Sequence, residues 1–90
     1  MITYVVHGIT DCPACLRACA LLMERDLQYS FSQSDFSCDF RQHLKIKYDQ
    51  KTFPIIIEVS LSEDYESTEK VIGGYDDLIL MLKDNTDEFT

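Results

Sequence analysis

Apolar and polar positions alternate between two periods along this chain, and the switches mark its elements. Met1 to His7 is rich in β-branched and aromatic residues and predicts a buried strand over Ile2 to Val6. Gly8 to Asp11 reads as a loop. Leu16, Cys19, Ala20, Met23 and Leu27 then recur at three- and four-residue steps, predicting an amphipathic helix from Pro13 to Leu27. Gln28 to Gln33 sets Tyr29 and Phe31 against polar neighbours, the period of a half-buried strand. Ser34 to Cys38 offers capping residues for a second helix over Asp39 to Tyr48, with Phe40, Leu44 and Tyr48 on its inner face.

Thr52-Phe53-Pro54 leads into Ile55 to Val59, the most strand-like run in the sequence. Proline cannot donate to a ladder, so Pro54 must open that strand or lie outside it. Ser60 to Thr68 reads as a turn or long hairpin loop, and Glu69 to Ile72 as an edge strand pairing back. Gly73-Gly74 breaks that strand. Asp76 and Asp77 favour a helix start, and Leu78, Met81 and Leu82 supply its apolar face. The polar stretch from Asp84 to Thr90 is expected to fray. The order is βαβαββα, an α/β arrangement with a four-stranded mixed sheet, helices on both faces and one domain over residues 1–90.

Composition narrows the function. The 90 residues are 46% hydrophobic, enough for one core and too few for two. The formal net charge is −8, which argues against nucleic-acid binding and against docking on an anionic membrane. The N-terminal apolar run breaks at His7-Gly8 and has no basic flank, too short for a signal peptide or a membrane span. A reducing cytoplasm is therefore expected, where paired cysteines are more often catalytic or metal-binding than structural.

Four cysteines carry the candidate chemistry. Cys12-Pro13-Ala14-Cys15 falls where a loop turns into a helix, and proline suits the first helical position. The helix start directs free N–H groups and a positive dipole end at Cys12, favouring the reactive thiolate. Cys19 lies on the apolar stripe and reads as a small hydrophobe. His7 reads as a satisfied structural histidine and His43 as a surface residue. A competing reading takes Cys12, Cys15, Cys38 and His43 as a zinc set. A third is a redox-inactive domain binding partners through its acidic face.

Three motifs together resemble the glutaredoxin family over nearly the whole chain, which implies the thioredoxin fold. Cys12-Pro13-Ala14-Cys15 resembles the family's dithiol CPYC site, with Ala14 in place of tyrosine. Gln50-Lys51-Thr52-Phe53-Pro54 resembles its GQxTVP segment, which carries a cis-proline facing the cysteines. Ile72-Gly73-Gly74-Tyr75-Asp76-Asp77-Leu78 resembles the IGGxDDL signature. Phe53 and Tyr75 are also similar to phage-encoded members. Thioredoxin itself matches less well, since the chain has no tryptophan, and the single-thiol branch lacks a counterpart of Cys15.

The resemblance implies a monomeric disulfide oxidoreductase with no tightly bound cofactor and glutathione as reductant. Its substrates would be protein disulfides and glutathione mixed disulfides, with ribonucleotide reductase as a protein partner. Cys12 would be the nucleophile and Cys15 the resolving thiol. Glutathione would contact Gln50, Thr52, Phe53, Pro54, Gly74, Tyr75, Asp76 and Asp77, with Lys51 nearby. One departure matters. Many relatives carry a lysine three residues before the nucleophile, whereas Ile9 stands here and Asp11 directly precedes Cys12. A nearby carboxylate opposes thiol ionisation, so Cys12 is expected to be less acidic than in lysine-bearing relatives.

Overall fold

A computed structural model of the chain describes residues 1–87. Seven elements follow the expected order: β1 Ile2–Gly8, α1 Pro13–Glu24, β2 Tyr29–Gln33, α2 Cys38–Tyr48, β3 Ile55–Leu61, β4 Ser67–Gly73 and α3 Tyr75–Asp87. They form one four-stranded sheet in the order β2-β1-β3-β4, with β1 parallel to β2 and antiparallel to β3, and β3 antiparallel to β4. This is the mixed sheet and three-helix layout of the thioredoxin fold.

The sheet is covered on both sides, and this explains its sequence. Tyr4, Val6 and Ile56 face α1 and α3, where they pack with Ala18, Leu22, Leu78 and Leu82. Ile55 and Ile57 face α2, against Leu44 and Tyr48. A central strand buried on both faces is continuously apolar rather than alternating, hence the three successive isoleucines.

Helix α1 stops at Glu24, three residues short of the expected Leu27. Asp26 takes a left-handed φ of 57°, its amide donates to the Met23 carbonyl, and the Leu27 amide donates to the Leu22 carbonyl. That pair of bonds is a Schellman closure, a role usually given to glycine, which is why the aspartate gave no stop signal. Leu27 still packs against the core. Asp49 closes α2 in the same way, left-handed at φ 53°, with the Gln50 amide returning to the Lys45 carbonyl. This turn delivers the chain from α2 to the Phe53-Pro54 loop.

Three other expectations change. The β3–β4 hairpin is longer than predicted, and only Ser62 to Glu66 forms its loop, closed by the Ser62 amide on the Glu66 carbonyl. Polar β4 residues are tolerated because β4 is an edge strand. Phe31 is 42% exposed rather than inward, because β2 is the opposite edge. The helical backbone of α3 continues to Asp87, through the first part of the tail expected to fray; the rest of that tail lies outside the described residues.

His7 lies on the α2 side of the sheet, stacked on Tyr48 with ring centroids 5.8 Å apart. Its Nδ1 is buried without a hydrogen-bond partner among the described residues, so the ring is packed but not satisfied there as expected. Burial lowers its pKa; Glu69 opposes the shift and Lys47 adds to it. The unfolded chain therefore binds a proton more readily, and stability must fall as pH drops below about 6.5. Melting temperatures of wild type and His7→Phe between pH 8 and 5 should diverge, the variant losing less on acidification.

Candidate active site

The site begins at the N-terminus of α1. Cys12 is the N-cap, in extended conformation, and its Sγ accepts the Cys15 amide at 3.2 Å. A sulfur in the place of the usual capping oxygen satisfies one otherwise unpaired helix donor, an interaction that strengthens as the sulfur becomes anionic. Cys12 and Cys15 are joined by a disulfide with Cα atoms 5.2 Å apart. Cys12 is half-buried and Cys15 fully buried, so attack from outside falls to Cys12.

Gly8, read as loop in the sequence, is the buried last residue of β1. A Cβ there would lie 2.6 Å from the Phe31 ring and 3.0 Å from Cys15 Sγ. The missing side chain makes room for the buried sulfur.

The loop preceding Cys12 is braced from the β2–α2 connection. The Thr10 amide donates to Asp35 Oδ2 at 3.1 Å, Gln33 Nε2 donates to Thr10 Oγ1 at 3.0 Å, and Arg41 Nη1 donates to the Asp35 carbonyl at 2.9 Å. The Thr10 side chain first, and Gln33 next, hold the Asp35 carboxyl down at about 2. Nothing in the sequence pattern singled out Asp35, because its partners come from another loop and from α2.

Beside the cysteine pair is a groove of about 420 Å³. One wall is Gln50, Thr52, Phe53 and Pro54, and the Phe53–Pro54 peptide is cis. The Phe53 main chain makes no hydrogen bond within the described residues, leaving its N–H and C=O free. Lys45 Nζ lies 5.7 Å from the centre of the Phe53 ring, and Gln50 Nε2 donates to the Tyr48 carbonyl at 3.4 Å.

The other wall is Gly74, Tyr75, Asp76 and Asp77 at the start of α3, with Ala14 and Arg17 of α1 completing the groove. Asp77 Oδ2 accepts the Gly74 amide at 2.9 Å, half of a capping box. The Tyr75 and Asp76 amides have no partner among the described residues, so the start of α3 carries unpaired N–H donors, an arrangement suited to an anion. Asp76 makes no hydrogen bond or ion pair there.

Gln50, Thr52, Phe53, Pro54, Gly74, Tyr75, Asp76 and Asp77 thus line one groove with Ala14 of the cysteine motif, whereas Lys51 does not line it. Arg17 was missed, and no local sequence signal marked it, because its place in the groove depends on how α1 and α3 pack. Cys38 is exposed at the start of α2, His43 is exposed on the same helix, and no group of three or more metal-capable side chains gathers among the described residues. The zinc set is therefore not assembled. Cys19 packs against the core, and burial pushes its thiol up. No described helix is long and apolar enough to cross a membrane.

A thioredoxin fold with a cysteine pair opening its first helix defines a class, and that arrangement points to thiol–disulfide oxidoreduction. Within that class, solved structures of glutaredoxins are similar to this chain. The glutaredoxin from Brucella melitensis superposes with a TM-score of 0.72 at 22% identity, covering 98% of this chain and 86% of that one. Wheat glutaredoxin gives 0.70 at 23%, covering 92% and 71%. Reduced Escherichia coli glutaredoxin gives 0.65 at 27%, covering 94% and 98%. Protein-family models give no match, and curated protein sequences give none.

Two measurements check this geometry. Gly73 has φ +117°, and a Cβ on it would run into the Asp77 carboxylate. Gly73→Ala should therefore cost about 1–3 kcal/mol in denaturant unfolding, through strain and loss of the Asp77 cap. The Asp35 carboxyl should titrate near pH 2 by NMR rather than at its ordinary 3.8. Its contribution is then present above pH 4 and lost as pH falls toward 2, and Asp35→Ala should lack that part of the acid transition.

Proposed function

We propose that the protein is a glutathione-dependent thiol–disulfide oxidoreductase acting on protein disulfides and glutathione mixed disulfides. The observation that supports this most is the sharing of one groove by the cysteine motif, the cis-proline segment and the α3 N-terminus.

In the reduced protein the Cys12 thiolate attacks one sulfur of the substrate disulfide, and the other leaves as a thiolate. Cys15, once deprotonated, attacks Cys12 Sγ, releases the second substrate thiol and forms the Cys12–Cys15 disulfide. The substrate gains two electrons and the cysteine pair loses two. One glutathione then opens that disulfide to a mixed disulfide on Cys12, and a second removes it as glutathione disulfide. Mixed disulfides with glutathione need only Cys12.

Glutathione would lie along the groove. Its cysteinyl backbone would pair with the free Phe53 N–H and C=O like a short added strand. Thr52 and Pro54 would shape that wall, and Gln50, assisted by Lys51, would receive the glycyl carboxylate. The γ-glutamyl carboxylate would meet the Tyr75 and Asp76 amides beside Gly74. Because Asp77 is committed to the Gly74 amide, Asp76 is the better placed carboxylate for the ligand's amino group. The same reading assigns a monomer in the cytoplasm, with ribonucleotide reductase among its disulfide partners.

Wild type should turn over hydroxyethyl disulfide in a glutathione-coupled assay. Cys12→Ser should abolish turnover, and Cys15→Ser should retain reduction of glutathione mixed disulfides. No turnover with stoichiometric zinc retained would favour the zinc module, and no turnover without zinc a partner-binding domain. Thiolate absorbance should show a lower Cys12 midpoint in Asp11→Lys than in wild type; an unchanged midpoint would remove Asp11 from the account.

A further inference from the structure

Among the described residues, three charged side chains line the groove: Arg17, Asp76 and Asp77. In a chain of net charge −8, two carboxylates around a site meant for an anionic thiol are an electrostatic obstacle. Asp77 is engaged with the Gly74 amide, whereas Arg17 has no ion pair or hydrogen bond among the described residues. Arg17 is exposed, one turn after Ala14, which lines the same groove. Leu21, one turn further along that flank, packs into the core that α1 shares with α3. Arg17 therefore borders the same groove as Tyr75 and Asp76, whose amides are unpaired among the described residues.

We propose that Arg17 is a specificity-determining residue that selects thiols bearing a γ-glutamyl carboxylate. The proposal rests on the glutathione reading above and adds to it a residue on α1 and the part of the ligand that it recognises. A planar guanidinium offers paired N–H donors to a carboxylate, and the α3 amides supply further donors from the other side. The cation also offsets one of the two carboxylates, so an anionic ligand meets less repulsion in the groove than it would without Arg17. The carboxylate is remote from the sulfur that reacts, so its recognition is the same in the ground and transition states. That kind of binding alters KM and leaves kcat alone.

The test compares wild type, Arg17→Gln and Arg17→Lys with three thiols as reductant: glutathione, γ-glutamylcysteine and cysteinylglycine. The last lacks the γ-glutamyl group. A lost hydrogen bond to a charged group corresponds to roughly a tenfold change, so Arg17→Gln should raise KM for glutathione and γ-glutamylcysteine by about that factor. Its kcat and its KM for cysteinylglycine should not change. Arg17→Lys should recover part of the loss, because it restores the charge without the fork. The difference between wild type and Arg17→Gln should shrink as salt is raised. An unchanged KM for glutathione, or equal losses with all three thiols, would overturn the assignment while leaving the glutathione reading intact. Absence of glutathione turnover in the wild type would overturn both.

Discussion

The bond from the Cys15 amide to Cys12 Sγ is the constraint on which the rest of this molecule depends. It makes a sulfur the cap of α1, and so couples the start of a structural helix to the charge state of a reactive atom. An oxygen cap would stabilise the helix equally well, but it could not exchange a disulfide. The surrounding structure holds this sulfur half-exposed and its partner buried. Gly8 clears space for Cys15 Sγ, and the Thr10–Asp35 bond fixes the approach of the chain to Cys12.

The groove follows from the same economy of backbone groups. Two segments arrive with main-chain donors unspent among the described residues: the loop before β3, where the Phe53 backbone makes no hydrogen bond, and the first turn of α3. Unpaired N–H groups at a protein surface bind water or a ligand, and here they border one cavity beside the cysteine motif. The capping box between Gly74 and Asp77 fixes the α3 terminus without consuming the Tyr75 and Asp76 amides. Capping thus leaves two donors of the same helix end unspent among the described residues.

Charge is distributed with similar separation. The acidic surface favours solubility, while Arg17 is the one cation lining the groove among the described residues and Lys45 lies over the ring of Phe53, itself a lining residue. The lysine that many glutaredoxins carry before the nucleophile has no counterpart at Ile9. The groove's positive charge instead comes from α1, beyond the second cysteine.

Much of this was legible in the chain, for local reasons. Periodicity gave seven elements because both sheet faces are buried and the helices are amphipathic. Cys12, Pro13 and Cys15 declared a helix start, and Phe53-Pro54 and Gly73-Gly74 declared breaks, since these residue types restrict the backbone wherever they occur. The stop of α1 at Asp26 was hidden because aspartate takes the left-handed role less often than glycine, whereas the end of α2 at Tyr48 falls where the pattern put it. Proximity, by contrast, came only with the packed fold. That Arg17 shares a groove with Asp76, that Asp35 braces Thr10, and that His7 stacks on Tyr48 depends on how helices cross the sheet. Those crossings arise from packing between residues dozens of positions apart, which no local pattern records.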